Sequence, residues 1–121
     1  MLRSGGPPAV TGADASALAG LLSPSQTATP NSGDNVQVNN NNLDTNLWLV
    51  PVTNPIASLT VTLPNNASSR IGQKVSIGTS KGVSSLTVAG AGTILNAPPL
   101  LQAGDLYIFT KVGNDTWALL L

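Results

Sequence analysis

The sequence predicts a mainly β protein: a small antiparallel β-sandwich or barrel, preceded by an extended N-terminal arm carrying at most one short helix. Three observations lead there. In Ser58-Leu59-Thr60-Val61-Thr62-Leu63, apolar and hydroxyl side chains alternate, which puts them on opposite faces of a strand. The same alternation returns at 74–77, 85–88, 106–112 and 116–121, with Gly, Pro and Asn clusters between the runs. Residues 1–46 carry no aromatic side chain and are rich in Gly, Pro, Ser, Ala and Asn. Such a segment buries too little apolar area to offset the ~1–2 kcal/mol per residue that ordering a backbone costs.

The organisation that follows is an arm over 1–46, disordered on its own and expected to be held by a neighbouring chain, and a β domain over 47–121. Within the arm, Thr11 followed by Asp14 loosely resembles a capping box, and Ala15, Ala17 and Ala19 favour helix up to Gly20. A helix this short is marginal in water, so Leu18, Leu21 and Leu22 form a small patch suited to docking on a partner; a loose coil that contains leucines is the alternative. After a polar linker, Val36 and Val38 alternate with Asn35, Gln37 and Asn39 and could add a strand to a neighbour's sheet edge. The tract Asn39-Asn40-Asn41-Asn42 reads as a loop marking the boundary between arm and domain.

The domain opens with Leu47-Trp48-Leu49-Val50, where Pro51 marks an edge or bulge and Trp48 is expected to pack beneath the sheet, with an exposed, ligand-stacking Trp48 as the alternative. Prolines 55 and 64 delimit the 58–63 strand because neither can continue a ladder. Further strands are expected at 73–77, 86–89, 93–95, 106–112 and 116–121. Gly78-Thr79-Ser80-Lys81-Gly82 reads as a hairpin loop and Gly113-Asn114-Asp115 as a tight connector able to adopt positive φ. On 106–112, Tyr107, Phe109 and Lys111 face one way and Leu106, Ile108 and Thr110 the other; Trp117, Leu119 and Leu121 share a face of the last strand. Both faces of this hairpin are largely apolar, which suits a hairpin held between its own core and another subunit. Tyr107, Phe109, Trp117 and Leu119, with Trp48, are therefore the candidates for core or trimer packing. Ser-Leu-Thr-Val occurs at 58–61 and again at 85–88; two copies fall short of a solenoid, and equivalent strands of one face is the reading adopted.

The chemistry inventory is short. There is no His, Cys or Glu, and the acids are Asp14, Asp34, Asp44, Asp105 and Asp115, placed beside Gly, Asn or Thr where turns use them. Without a base that titrates near neutrality or a reactive thiol, enzymatic activity is not expected, and neither is a cofactor or a metal site. Gly90-Ala91-Gly92-Thr93-Ile94-Leu95 begins like a dinucleotide fingerprint but has Leu where the third Gly belongs, and reads as a β turn. A net charge of zero with 8% charged residues argues against nucleic acid and against a polybasic membrane patch. The N-terminal residues lack the apolar core of a secretory signal, so synthesis and residence in a cytoplasm are expected. So little charge is unusual on a free monomer, and a surface covered in an assembly is the expectation.

The succession of Ser58-Leu59-Thr60-Val61-Thr62-Leu63-Pro64, Gly72-Gln73-Lys74-Val75-Ser76-Ile77, Leu86-Thr87-Val88-Ala89-Gly90, Asn96-Ala97-Pro98, Leu106-Tyr107-Ile108-Phe109 and Thr116-Trp117 resembles a small β module recurrent in virion proteins of tailed bacteriophages. Head decoration (cement) proteins, head fibres and tail-fibre-type proteins carry it. The resemblance covers about half the chain and rests on a pattern of β runs. It implies trimers and no catalytic residues. An arm plus a β domain, with no long repetitive shaft, looks more like a cement protein than a fibre tip. The function expected from the resemblance is therefore a decoration protein on the outer capsid surface, trimerising through its β domain. Its arm would clasp neighbouring subunits of the major capsid protein. A head- or tail-fibre-type receptor or glycan-binding module is the alternative, with Trp48 or Tyr107 set against sugar rings.

Overall fold

The alternation of Leu59, Val61 and Leu63 with Thr60 and Thr62 is realised as a strand with one buried face, and the chain repeats that solution coil after coil. The computed structural model describes residues 25–90 and 92–120. These form strands β1 (Ser25–Ala28), β2 (Asp34–Gln37), β3 (Thr45–Leu49), β4 (Leu59–Thr62), β5 (Lys74–Thr79), β6 (Leu86–Ala89), β7 (Thr93–Leu95), β8 (Leu106–Gly113) and β9 (Thr116–Leu119), with one 3₁₀ turn at Asn66–Ser68. A six-stranded sheet runs β1-β3-β5-β8-β9-β7 and a three-stranded sheet runs β2-β4-β6. The protein is mainly β, in a solenoid-like arrangement.

The chain alternates between the two sheets, one strand in each per coil, so like strands stack in parallel: β1 on β3 on β5, and β2 on β4 on β6. Single bridges from Ile56 to Val83, parallel, and from Val83 to Leu101, antiparallel, form a rudimentary third side. The hairpin β8–β9 then closes the large sheet, pairing antiparallel with β5, and β7 lies parallel beyond β9. Stacking in register explains the repeated tetrapeptide. Leu59 lies on Leu86, Thr60 on Thr87 and Val61 on Val88, so identical side chains meet across the ladder. Val36 extends the column to the first coil as the partner of Val61. On the solvent side, the Thr62 hydroxyl donates to Asn35 Oδ1 at 2.8 Å.

Four expectations are corrected here. The domain is not antiparallel: most of its ladders are parallel, because successive strands return to the same side of a coil instead of doubling back. The repeat marks equivalent strands of one sheet face, as expected, but those strands are also successive steps of a solenoid-like stack. The 78–82 segment is the end of β5 and the corner that leads towards the other sheet, not a hairpin loop. Finally, the division at residue 46 does not hold, because β1, β2 and the start of β3 are integral to the sheets. Val36 and Val38 are buried in this chain's own core, at 9% and 0% exposure, so their side chains are not presented to a partner. Leu18, Leu21, Leu22 and the short helix expected around them lie outside the described residues.

One core joins both sheets. Leu47, Leu49, Val75, Ile77, Phe109, Trp117 and Leu119 from the large sheet meet Val36, Leu59, Val61, Leu86 and Val88 from the small one. Phe109, Trp117 and Leu119 thus serve the core, and Tyr107 packs against it half-buried. Buried polar groups are partnered, as an apolar interior requires. Gln73 donates from its amide to the Leu43 carbonyl at 2.9 Å and accepts from the Arg70 backbone N–H at 3.0 Å. Lys111, on the inward face with Phe109, donates from Nζ to Ser69 Oγ at 2.7 Å. The 39–42 tract is a loop, as expected: Asn40 Oδ1 accepts from the Asn65 backbone and Asn42 takes a left-handed conformation. In the β8–β9 connector the positive φ, 60°, falls on Asp115.

Candidate functional site

The feature that stands apart from a self-contained fold is the outer face of the six-stranded sheet. Because Leu47 and Leu49 point inward, strand pleating turns Trp48 out, and its side chain is 44% exposed. The expectation that Trp48 packs beneath the sheet is corrected. An all-apolar run disguises its own period, although the flanking leucines could have assigned the tryptophan to the opposite face. On β8 the inward set is Tyr107, Phe109 and Lys111, as expected; the outward set includes Leu106 at 63% and Ile108 at 47% exposure, with Val112 further along. Leu120, just past β9, and Leu95 on β7 are also exposed. Hydrophobic side chains of this size gathered on one sheet face make it a candidate interaction surface.

Register places these residues. Across the sheet, Thr27, Trp48, Gly78 and Leu106 occupy one row, and Ser25, Asn46, Ser76 and Ile108 the next. Gly78 is required where it stands: a Cβ there would lie 2.8 Å from Trp48 Cε3 and 3.3 Å from Leu106 Cδ1. The indole therefore rests against bare backbone, fixed on one side by the sheet and open on the other. Gly78→Ala is expected to displace the exposed ring rather than the backbone. The stability loss should be about 1 kcal/mol, with a red shift of Trp48 emission over an unchanged Trp117 background; unaltered emission would argue against this packing.

Apart from Ile108, the second row is polar. Ser76 Oγ donates to Asn46 Oδ1 at 2.6 Å, while Asp44 Oδ1 accepts from the Lys74 backbone N–H at 2.9 Å and from the Arg70 guanidinium at 3.2 Å. The Asp44–Arg70 pair is exposed on both sides, so it orients the carboxylate more than it stabilises the fold. Beside it lies an open depression of about 190 Å³ lined by Asp44, Thr45, Asn46, Lys74, Ser76 and Ile108. The face is thus divided, with uncharged apolar side chains along β8 and a hydrogen-bonding strip along β3 and β5. Trp48 stands where the two meet.

The other acids among the described residues serve local structure: Asp34 Oδ2 accepts from the Asn31 N–H, Asp105 Oδ2 from the Gln102 N–H, and Asp115 bonds to Asn66. Among the described residues there is no group of three or more His, Cys, Asp or Glu placed to hold a metal ion, and no helix long and apolar enough to cross a membrane. No known protein family, curated protein or solved structure matches the chain.

Proposed function

We propose that this chain is a structural protein of a virion shell, of the capsid-decoration type, that assembles as a homotrimer through the outer face of its six-stranded sheet. The observation that carries the reading is the exposed Leu106 and Ile108 pair on β8, on a chain with only 8% charged residues. Burying such a strip in a subunit contact contributes ~25 cal/mol per Å², and no charge on it has to be desolvated. Residues ahead of Ser25, with Leu18, Leu21 and Leu22, are then the part of the chain left to dock on the major capsid protein. The docking segment is shorter than a 46-residue arm, since β1 and β2 belong to the globule. Three copies of it on one trimer act together, so a weak single contact suffices for occupancy of the outer capsid surface.

Light scattering on the purified protein tests the assembly. Wild type is expected to run as a trimer at micromolar concentration, and Ile108→Lys as a folded monomer with stability within about 0.5 kcal/mol of wild type, because the position faces outward. A wild-type monomer would defeat the proposal. The exposed Trp48 favours a second reading, a glycan-binding module of the head- or tail-fibre type.

A further inference from the structure

We propose that the strip formed by Trp48, Asn46, Ser76, Asp44 and Lys74 binds a neutral oligosaccharide, one sugar ring stacking on the indole and the next seated in the adjoining depression. It rests on the glycan-binding reading just given and concerns the β3–β5 side of the face, which borders the strip proposed for the trimer at Ile108. A pyranose presents an apolar C–H face and a rim of hydroxyls that both donate and accept hydrogen bonds. A matching site needs a flat apolar platform beside short polar side chains of mixed donor and acceptor character.

The platform is Trp48, exposed on one side and held against Gly78 and Leu106 on the other. Asn46 and Trp48 lie two residues apart on one face of β3, a step of about 7 Å, so a chain of linked rings laid along the strand reaches both. The depression, about 190 Å³, has room for a single ring and not for a folded segment. Its polar groups are set in advance. Ser76 holds Asn46 by Oδ1, which directs the amide NH₂ away from Ser76, and the Lys74 backbone and Arg70 hold the Asp44 carboxylate. Groups fixed before binding lose little entropy on binding.

Other occupants fit this strip less well. A protein surface laid over it would have to desolvate Asp44, Arg70 and Lys74, a penalty that the β8 side of the face does not carry. A nucleic acid would share the stacking, but the chain has no net positive charge to draw its phosphates.

The experiment uses the full chain on an array of neutral oligosaccharides of glucose, mannose, galactose and N-acetylglucosamine, with light scattering on the same samples. Wild type is expected to be retained on at least one of them. Trp48→Ala should weaken that binding about tenfold or more, and Asn46→Ala should weaken it to a smaller extent. Trp48→Phe should recover part of the loss, and Leu120→Ala should bind as wild type. The inference is overturned if wild type is retained on none of these sugars, if Trp48→Ala binds as well as wild type, or if the only effect of Trp48→Ala is to change the oligomeric state. Light scattering reports the assembly separately, so loss of sugar binding in an intact trimer, and a monomer that still binds sugar, are distinct results.

Discussion

A chain lacking residues 1–46 is expected to show no cooperative unfolding transition. The deletion removes β1 and β2, which pair with β3 and β4, and takes away Val36 and Val38 from the core. Burying each valine contributes roughly 1.5–3 kcal/mol, and the lost strands also leave two ladder edges without partners above Leu47, Leu49 and Val61. Against a typical total of about 5–15 kcal/mol, losing a whole coil leaves too little to hold the remainder. Far-UV circular dichroism and urea titration of the 47–121 fragment check this. A fragment that unfolds cooperatively would return the domain boundary to the asparagine tract and restore the long arm.

The two tryptophans should respond in opposite ways to truncation. Trp117, 2% exposed, fills the core between β7 and β8, where it pairs with Ile94 and Lys111 across the two ladders. Trp117→Ala is expected to cost about 3–5 kcal/mol, the transfer of the indole plus the cavity left among side chains that cannot all collapse into it. Trp48→Ala removes a half-exposed ring that rests on a glycine and should leave the denaturation midpoint close to wild type. Urea titrations of both variants provide the comparison. A large loss at Trp48 with little at Trp117 would invert the assignment of the faces. The contrast also protects the binding experiment, because Trp48 can be removed without unfolding the protein that carries the site.

Much of the strand content is written in local pattern. The alternation at 59–62, 74–77 and 86–89 fixes strands there whatever surrounds them, and Phe109 and Lys111 share the inward face that the spacing of β8 assigns them. The outward hydrophobics of β8, which form half of the candidate surface, were visible in the same spacing. The other half was not. Leu47-Trp48-Leu49-Val50 is apolar throughout, so its period is hidden, and the two leucines flanking Trp48 hint at its face without deciding which face is the core. Asp44, Asn46, Lys74 and Ser76 read as loop and strand polars; only the β3–β5 register brings them into one strip.

The coil was harder to see because its steps are uneven. Ser25 stacks beside Asn46, whereas Thr45 stacks beside Val75, so no single repeat length runs through the large sheet. Where the step is regular, the Ser-Leu-Thr-Val copies betray it, yet one matching pair does not by itself distinguish stacked coils from equivalent strands of one sheet.

By itself, then, the sequence determined that this is a β protein with no His, Cys or Glu, and it determined which residues of the regular strands point inward. The tertiary structure decided the direction of pairing, the membership of 25–46 in the globule and the outward placement of Trp48. The physical reason is that a two-residue period is the same in parallel and antiparallel ladders. Direction depends on where each connection delivers the next strand, and that is settled by contacts between residues far apart in the chain.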